Sequence, residues 1–101
     1  MNDIHSNPRK LLMAKALGFT NSITKLSSDE RNRNPSKAFG EDYNRLRSAA
    51  GDKFPAIKEF LPPPVTLFDH DGFDGTAQMF GEIFAWSEQI YQLLSSIEGE
   101  S

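Results

Sequence analysis

The residues best suited to chemistry in this 101-residue chain lie in one short segment, Asp69–Asp74. Its three carboxylates and one histidine could offer ligands to Ca²⁺ or Mg²⁺. An EF-hand loop starting at Asp69 needs a polar ligand at its fifth position and an acid at its twelfth, where this sequence has Phe73 and Phe80. A simpler interpretation is that Asp74 caps the helix that follows. We therefore expect no tight metal site, and keep a divalent-metal site at the Asp69–Asp74 turn as an alternative hypothesis.

The sequence offers few residues that could carry other kinds of catalysis. The histidines are His5 and His70, and no serine stands in a GxSxG nucleophile context. Zero cysteines exclude a thiol nucleophile, a disulfide and thiolate metal ligands. The glycines stand singly, so no phosphate-binding glycine loop is present. We expect a protein that is not an enzyme and that needs no cofactor.

Basic residues are confined to the first part of the chain. Residues 1–58 carry all eleven Lys and Arg with six acids, a net charge of +5, whereas residues 59–101 carry eight acids and no base, a net charge of −8. The two parts can attract each other as ordinary surface pairs, or the basic part can bind an anionic partner or nucleic acid. The sequence pI of about 5.3 and the lack of a basic recognition helix make nucleic acid the less favoured partner. Arg31 and Arg33 could bind phosphate, although their acidic neighbours favour a solvated loop.

One long helical pattern organises the rest of the chain. Between Thr76 and Ile97, apolar residues recur at steps of three and four, interrupted only by Ser87. The apolar arc covers roughly 200° of the helix, about twice what one neighbouring helix needs. One edge of that arc, spaced by seven, resembles an interface stripe with a polar border. We predict that this edge contacts a protein partner or a second copy, through Met79, Trp86 and Leu93.

Three further helices are predicted upstream. Asn7 is a residue type that commonly caps a helix, and Pro8 is a type that commonly follows as the first helical residue. The apolar spacing after them favours a single helix spanning residues 8–26, although Gly18 favours two shorter helices. A second helix is predicted over 36–50 with Gly51 as its C-terminal cap, and a short one over 54–61. Pro62–Pro64 must then be extended, as a polyproline segment that crosses the bundle. The expected fold is one all-α domain over residues 1–101, a three-to-four-helix bundle with a frayed terminus over 1–7.

These patterns together favour a non-catalytic helical protein–protein interaction module, a small regulator or an assembly subunit. A homodimer through the edge of the last helix is one form of that prediction. The competing interpretation is that the segment Val65–Phe68 folds over the same edge and seals it. The sequence contains no apolar run long enough to span a membrane and no secretory signal, so a cytoplasmic protein is expected.

Overall fold

The computed structural model describes residues 7–70 and 73–97. Its elements in chain order are α1 (Pro8–Thr24), α2 (Ser28–Arg31), α3 (Lys37–Lys53), a 3₁₀ helix (Pro55–Phe60), β1 (Leu67–His70), β2 (Phe73–Thr76) and α4 (Phe80–Ser95). The fold is mostly all-α, as predicted, with the C-terminal helix packed on the others and one small two-stranded sheet. Of the predicted frayed terminus 1–7, all but the last residue lies outside the described residues. None of the described helices is long and apolar enough to cross a bilayer.

Helix α1 begins at the predicted residue. The side chain of Asn7 accepts a hydrogen bond from the backbone N–H of Lys10 at 3.2 Å, and Pro8 occupies the first turn. The helix then runs unbroken to Thr24, so the 8–26 pattern forms one helix that ends two residues early. Gly18 does not interrupt it, because the residue lies on an exposed face where an added Cβ would meet nothing within 4 Å.

The predicted loop between α1 and α3 contains the single helical turn α2. The Ser27 hydroxyl accepts from the Glu30 N–H at 3.2 Å, and the Glu30 carboxylate accepts from the Ser27 N–H at 2.8 Å. This reciprocal pair is a capping box, and the hydrogen bond from Ser27 lowers the pKa of Glu30. The Ser-x-x-Glu spacing that produces it was present in the sequence.

Helix α3 is longer than predicted at its C-terminal end. Its first turn is capped by the Ser36 hydroxyl, which accepts from the Phe39 N–H at 3.2 Å. The prediction that Gly51 ends this helix is wrong, because the helix continues through it to Lys53. A Cβ at Gly51 would lie 3.1 Å from Leu61 Cδ1, so the glycine lets the segment after the 3₁₀ helix approach the α3 backbone closely.

The prolines that follow the 3₁₀ helix, Pro62–Pro64, form an extended strap along α3. Leu61 already has polyproline dihedrals, with φ −66° and ψ 145°. Side chains of α3 bond to the backbone on and after the strap: Tyr43 Oη donates to Pro63 O at 3.2 Å, Arg47 Nε donates to Pro62 O, and Asn44 bonds to both Val65 N and Val65 O. The strap thereby returns the chain to the core at Val65, which is buried.

A β-hairpin that was not predicted precedes α4. Strands β1 and β2 pair antiparallel, with Leu67 opposite Thr76 and Asp69 opposite Asp74. The hairpin packs directly on α3, because a Cβ on Gly40 would lie 2.6 Å from Thr76 Cγ2. Gly40 therefore lies in the interior of α3, and its lack of a side chain permits this contact.

Helix α4 begins four residues later than the predicted start at Thr76. Asp74 lies in β2, so the prediction that it caps α4 is wrong. The Glu82 carboxylate instead accepts from the Met79 N–H at 2.9 Å, which satisfies one free donor at the helix start. The Phe80 N–H also donates to Arg33 O at 3.0 Å, which ties α4 to the loop after α2.

The core lies chiefly between α1 and α4, which share the most extensive helix contact. The two helices are antiparallel, since the Arg9 guanidinium at the start of α1 donates to Leu94 O at the end of α4, at 3.4 Å. The buried apolar side chains of this pair are Leu12, Ala16, Ile23, Ile83, Ile90 and Leu94. Edge-to-face aromatic contacts join α3 to both helices, through Phe19 with Phe39 and Phe39 with Phe80, each with ring centres 5.2 Å apart.

Candidate functional site

The predicted interface stripe lies along one edge of α4 and its N-terminal approach. Met79 is 39% exposed, whereas Trp86 and Leu93 are half-buried. The Trp86 ring lies 6.1 Å from the Tyr43 ring at an interplanar angle of 39°. Trp86 therefore takes part in the packing of α4 on α3, whereas Met79 at the N-terminal end of the stripe is exposed.

The segment Val65–Phe68, which the competing interpretation places over this edge, packs on α3 through Val65 and Leu67. A Cβ at Gly40 would lie 3.1 Å from Val65 Cγ1 and 2.8 Å from Leu67 Cδ2. Both side chains therefore lie against the middle of α3, and the ring contact to Trp86 comes from Tyr43 of the same helix.

Leu93 forms one wall of an open groove between α4 and the 3₁₀ helix, which we call the Phe60–Leu93 groove. Its volume is about 560 Å³, and it is lined by Phe60, Ala85, Glu88, Gln89, Gln92 and Leu93. Phe60 is 61% exposed, the highest value among the large apolar side chains that the structure describes. The groove thus combines an aromatic ring and a leucine with a polar margin.

The charged residue that lines this groove is acidic. Glu88 belongs to its lining, and the exposed Glu59 immediately precedes Phe60 in the chain. No Lys or Arg follows Lys58 in the sequence, so α4 brings no positive charge. Lys58 is exposed two residues before Phe60, with its Cγ 3.3 Å from the Cβ position of Gly51 on α3, and it does not belong to the groove lining.

A second groove separates α1 from α3 on another face. Two adjoining depressions, of about 660 and 450 Å³, share Lys15, Arg45 and Leu46. Their other charged lining residues are all acidic, namely Glu41, Asp42 and Asp52, and Arg45 pairs with Asp42. The mixture of signs offers little net attraction to a phosphate backbone.

The two arginines that were considered as phosphate ligands, Arg31 and Arg33, have different environments. Arg31 Nη2 donates to Thr24 O at 2.9 Å, which satisfies a free carbonyl at the C-terminal end of α1. Arg33 is exposed, and its backbone carbonyl accepts from Phe80. Arg31 therefore has a structural role that explains its presence without a ligand.

The side chains of the Asp69–Asp74 segment lie outside what the structure describes, so the expectation of no tight metal site there stays a prediction and the divalent-metal site stays the alternative hypothesis. Among the side chains that are described, no group of three or more His, Asp or Glu is placed to hold a metal ion.

Two hydroxyl groups that could in principle take part in a reaction, those of Tyr43 and Ser87, lie inside the core. Burial raises the pKa of Tyr43, and its hydroxyl donates to Pro63 O. Ser87 is 0% exposed, and its Oγ has no hydrogen-bond partner among the described atoms. Neither residue belongs to the lining of the grooves described above.

Sequence reasoning missed Phe60. The helical spacing of the 54–61 segment places Phe54, Ile57 and Leu61 on one side, and Ile57 is indeed buried. Phe60 falls off that seam, and an aromatic residue off the apolar side of a short helix was the available signal. Its meaning depended on α4 lying beside the 3₁₀ helix, which the local sequence does not specify.

Comparison of the chain with protein-family models, with curated proteins and with solved structures finds no match. The function is therefore inferred from the geometry of the described residues.

Proposed function

We propose that this chain is a non-catalytic helical protein–protein interaction module. Its contact surface is the Phe60–Leu93 groove together with the edge of α4 that carries Met79 and Trp86. The observation that carries the proposal is the 61% exposure of Phe60, since every other aromatic side chain that the structure describes is at least half-buried. Binding of a partner that removes an exposed phenyl ring and a neighbouring leucine from water lowers the free energy of the complex.

The arrangement around Phe60 has the composition of a protein interface. An aromatic anchor and an aliphatic wall form the apolar centre, and Glu88, Gln89 and Gln92 supply a polar rim. Binding energy in such interfaces concentrates in a few buried anchors. We therefore assign the anchor role to Phe60 and Leu93.

Site-specific photo-cross-linking tests this function. Phe60 is replaced by benzoylphenylalanine, which keeps an aromatic ring at the position, and the chain is irradiated in an extract of its source cells. We expect discrete adducts that decrease when Leu93→Ser is combined with the photo-residue. The matched control places the same photo-residue at Leu17, which is 41% exposed on α1 away from the groove. Equal adduct patterns from the two positions, or none from position 60, would contradict the proposed function.

A further inference from the structure

We infer that the Phe60–Leu93 groove takes an amphipathic helix of a partner protein, with Lys and Arg flanking its apolar stripe. This rests on the proposed function and adds the chemical class of the partner. The shape of the groove and the sign of its charge carry it.

The shape fits a helix of about two turns along one side. Ala85, Gln89 and Leu93 line the α4 wall at intervals of four residues, about 12 Å of helix. Phe60 of the 3₁₀ helix also lines the groove, so apolar surface lies on both elements. Helices that bind in such grooves present anchors at i, i+3 or i+4, and i+7.

The sign of charge selects a basic partner. Glu88 is the charged residue of the groove lining, Glu59 precedes Phe60, and α4 contributes no Lys or Arg. Lys58 is exposed two residues before Phe60 but is not one of the residues that line the groove. Complementary charges accelerate association and exclude partners of like charge. A second copy bound through the same groove would bring Glu88 of each chain into one interface, which disfavours self-pairing.

The test uses three labelled synthetic helices of about 18 residues, long enough to populate helix in solution. One has a leucine stripe flanked by lysines, the second has the same stripe flanked by glutamates, and the third is the Leu/Lys composition in scrambled order. Fluorescence anisotropy with the full chain measures Kd at low and moderate salt. We expect the Leu/Lys helix to bind about tenfold more tightly than either other peptide, with affinity that falls as salt is added.

Variants locate the binding. Phe60→Ser should weaken the Leu/Lys helix by about tenfold, and Glu88→Lys should reverse the preference between the Lys and Glu peptides. The matched controls are Leu17→Ser, which removes an exposed leucine on α1, and Asp52→Lys, which reverses an exposed charge on α3. Both controls should bind like the wild type, and circular dichroism confirms that each variant is folded.

Three outcomes overturn the inference. Equal binding of the Lys and Glu helices, insensitive to Glu88→Lys, removes the charge argument but leaves the interaction module intact. Binding that Phe60→Ser does not alter places the site elsewhere. Absence of binding by any helix overturns the inference, whereas the proposed function is judged separately, by the cross-linking at position 60.

Discussion

The hydroxyl of Ser87 is a polar group enclosed in the apolar face of α4. It is 0% exposed, and its Oγ has no partner among the described atoms. A buried hydroxyl without a hydrogen bond costs about 1 to 3 kcal/mol of stability. Ser87→Ala should therefore raise the free energy of unfolding by about 1 kcal/mol, equivalent to a rise in Tm of roughly 4 °C for a chain of this size.

Thermal unfolding followed by circular dichroism measures this change. Ser95→Ala is the matched control, because Ser95 is exposed on the same helix and its Oγ donates to Gln92 O at 3.0 Å. It should shift stability by less than about 0.5 kcal/mol. A lower Tm for Ser87→Ala would show that the hydroxyl has a partner, such as a buried water.

Tyr43 gives the fold a pH dependence at alkaline pH. Burial raises its pKa in the folded chain above the usual value of about 10. The unfolded chain therefore ionises first, so the stability from neutral Tyr43 is complete below pH 10 and is lost as pH rises above it. We expect the urea midpoint to fall between pH 9 and about 11, and to fall less in Tyr43→Phe.

The same variant also loses the bond from Tyr43 Oη to Pro63 O, which should cost about 1 kcal/mol at neutral pH. If the urea midpoint falls equally at alkaline pH in the wild type and in Tyr43→Phe, another group causes the loss of stability.

At the scale of elements, replacing each of two helical glycines by alanine should change the stability of the chain in opposite directions. Alanine in place of an exposed helical glycine gains about 1 kcal/mol from propensity, which is the expectation for Gly18→Ala because nothing lies within 4 Å of its Cβ position. At Gly40 the new Cβ would lie 2.6 Å from Thr76 Cγ2 and 2.8 Å from Leu67 Cδ2. Gly40→Ala should therefore destabilise the chain by about 1 to 3 kcal/mol, since the hairpin must move away from α3.

Urea unfolding of the two variants side by side checks the sign of each change. A stabilising Gly40→Ala would mean that the hairpin is not seated on α3 as the structure places it.

The sequence predicted those elements whose signals are local. Asn7 and Pro8 located the start of α1, and the spacing of three and four located the buried face of α4 at Ile83, Ile90 and Leu94. The hairpin was missed because the α4 pattern was extended back to Thr76. The dipeptide Asp71–Gly72, a preferred hairpin-loop sequence, was the available signal.

Elements whose bounds depend on tertiary contact were not predictable in this way. A glycine at the end of a helical pattern predicts the end of the helix, yet α3 continues through Gly51, where Leu61 Cδ1 lies 3.1 Å from the position that a Cβ would take. The residues of the candidate site divide in the same way, into those indicated by local sequence and those that depend on tertiary contact. The edge with Met79 and Leu93 came from periodicity, whereas Phe60 required knowledge of how the 3₁₀ helix lies beside α4.

At the scale of the whole molecule, the separation of charge bears on whether the chain associates with itself. All the residues that line the Phe60–Leu93 groove come from residues 59–101, which contain no Lys or Arg, and the charged residue among them is Glu88. Two copies related by a twofold axis present the same patch to each other, so any charge on the patch meets its own sign. In such a dimer, the favourable burial of Phe60 and Leu93 is opposed by the repulsion between the Glu88 side chains.

We therefore predict a monomer at about physiological ionic strength, where charges within about 8 Å of each other still interact. Multi-angle light scattering at high protein concentration measures the mass. Replacing Glu88 by Gln removes the repulsion and keeps the side-chain size, so this variant should associate more strongly than the wild type, and Phe60→Ser in that background should restore the monomer. Asp52→Asn is the matched neutralisation away from the groove and should leave the mass unchanged. A wild-type dimer that Phe60→Ser dissociates would show instead that a second copy occupies the groove, with the apolar contact of Phe60 and Leu93 outweighing the charge of Glu88.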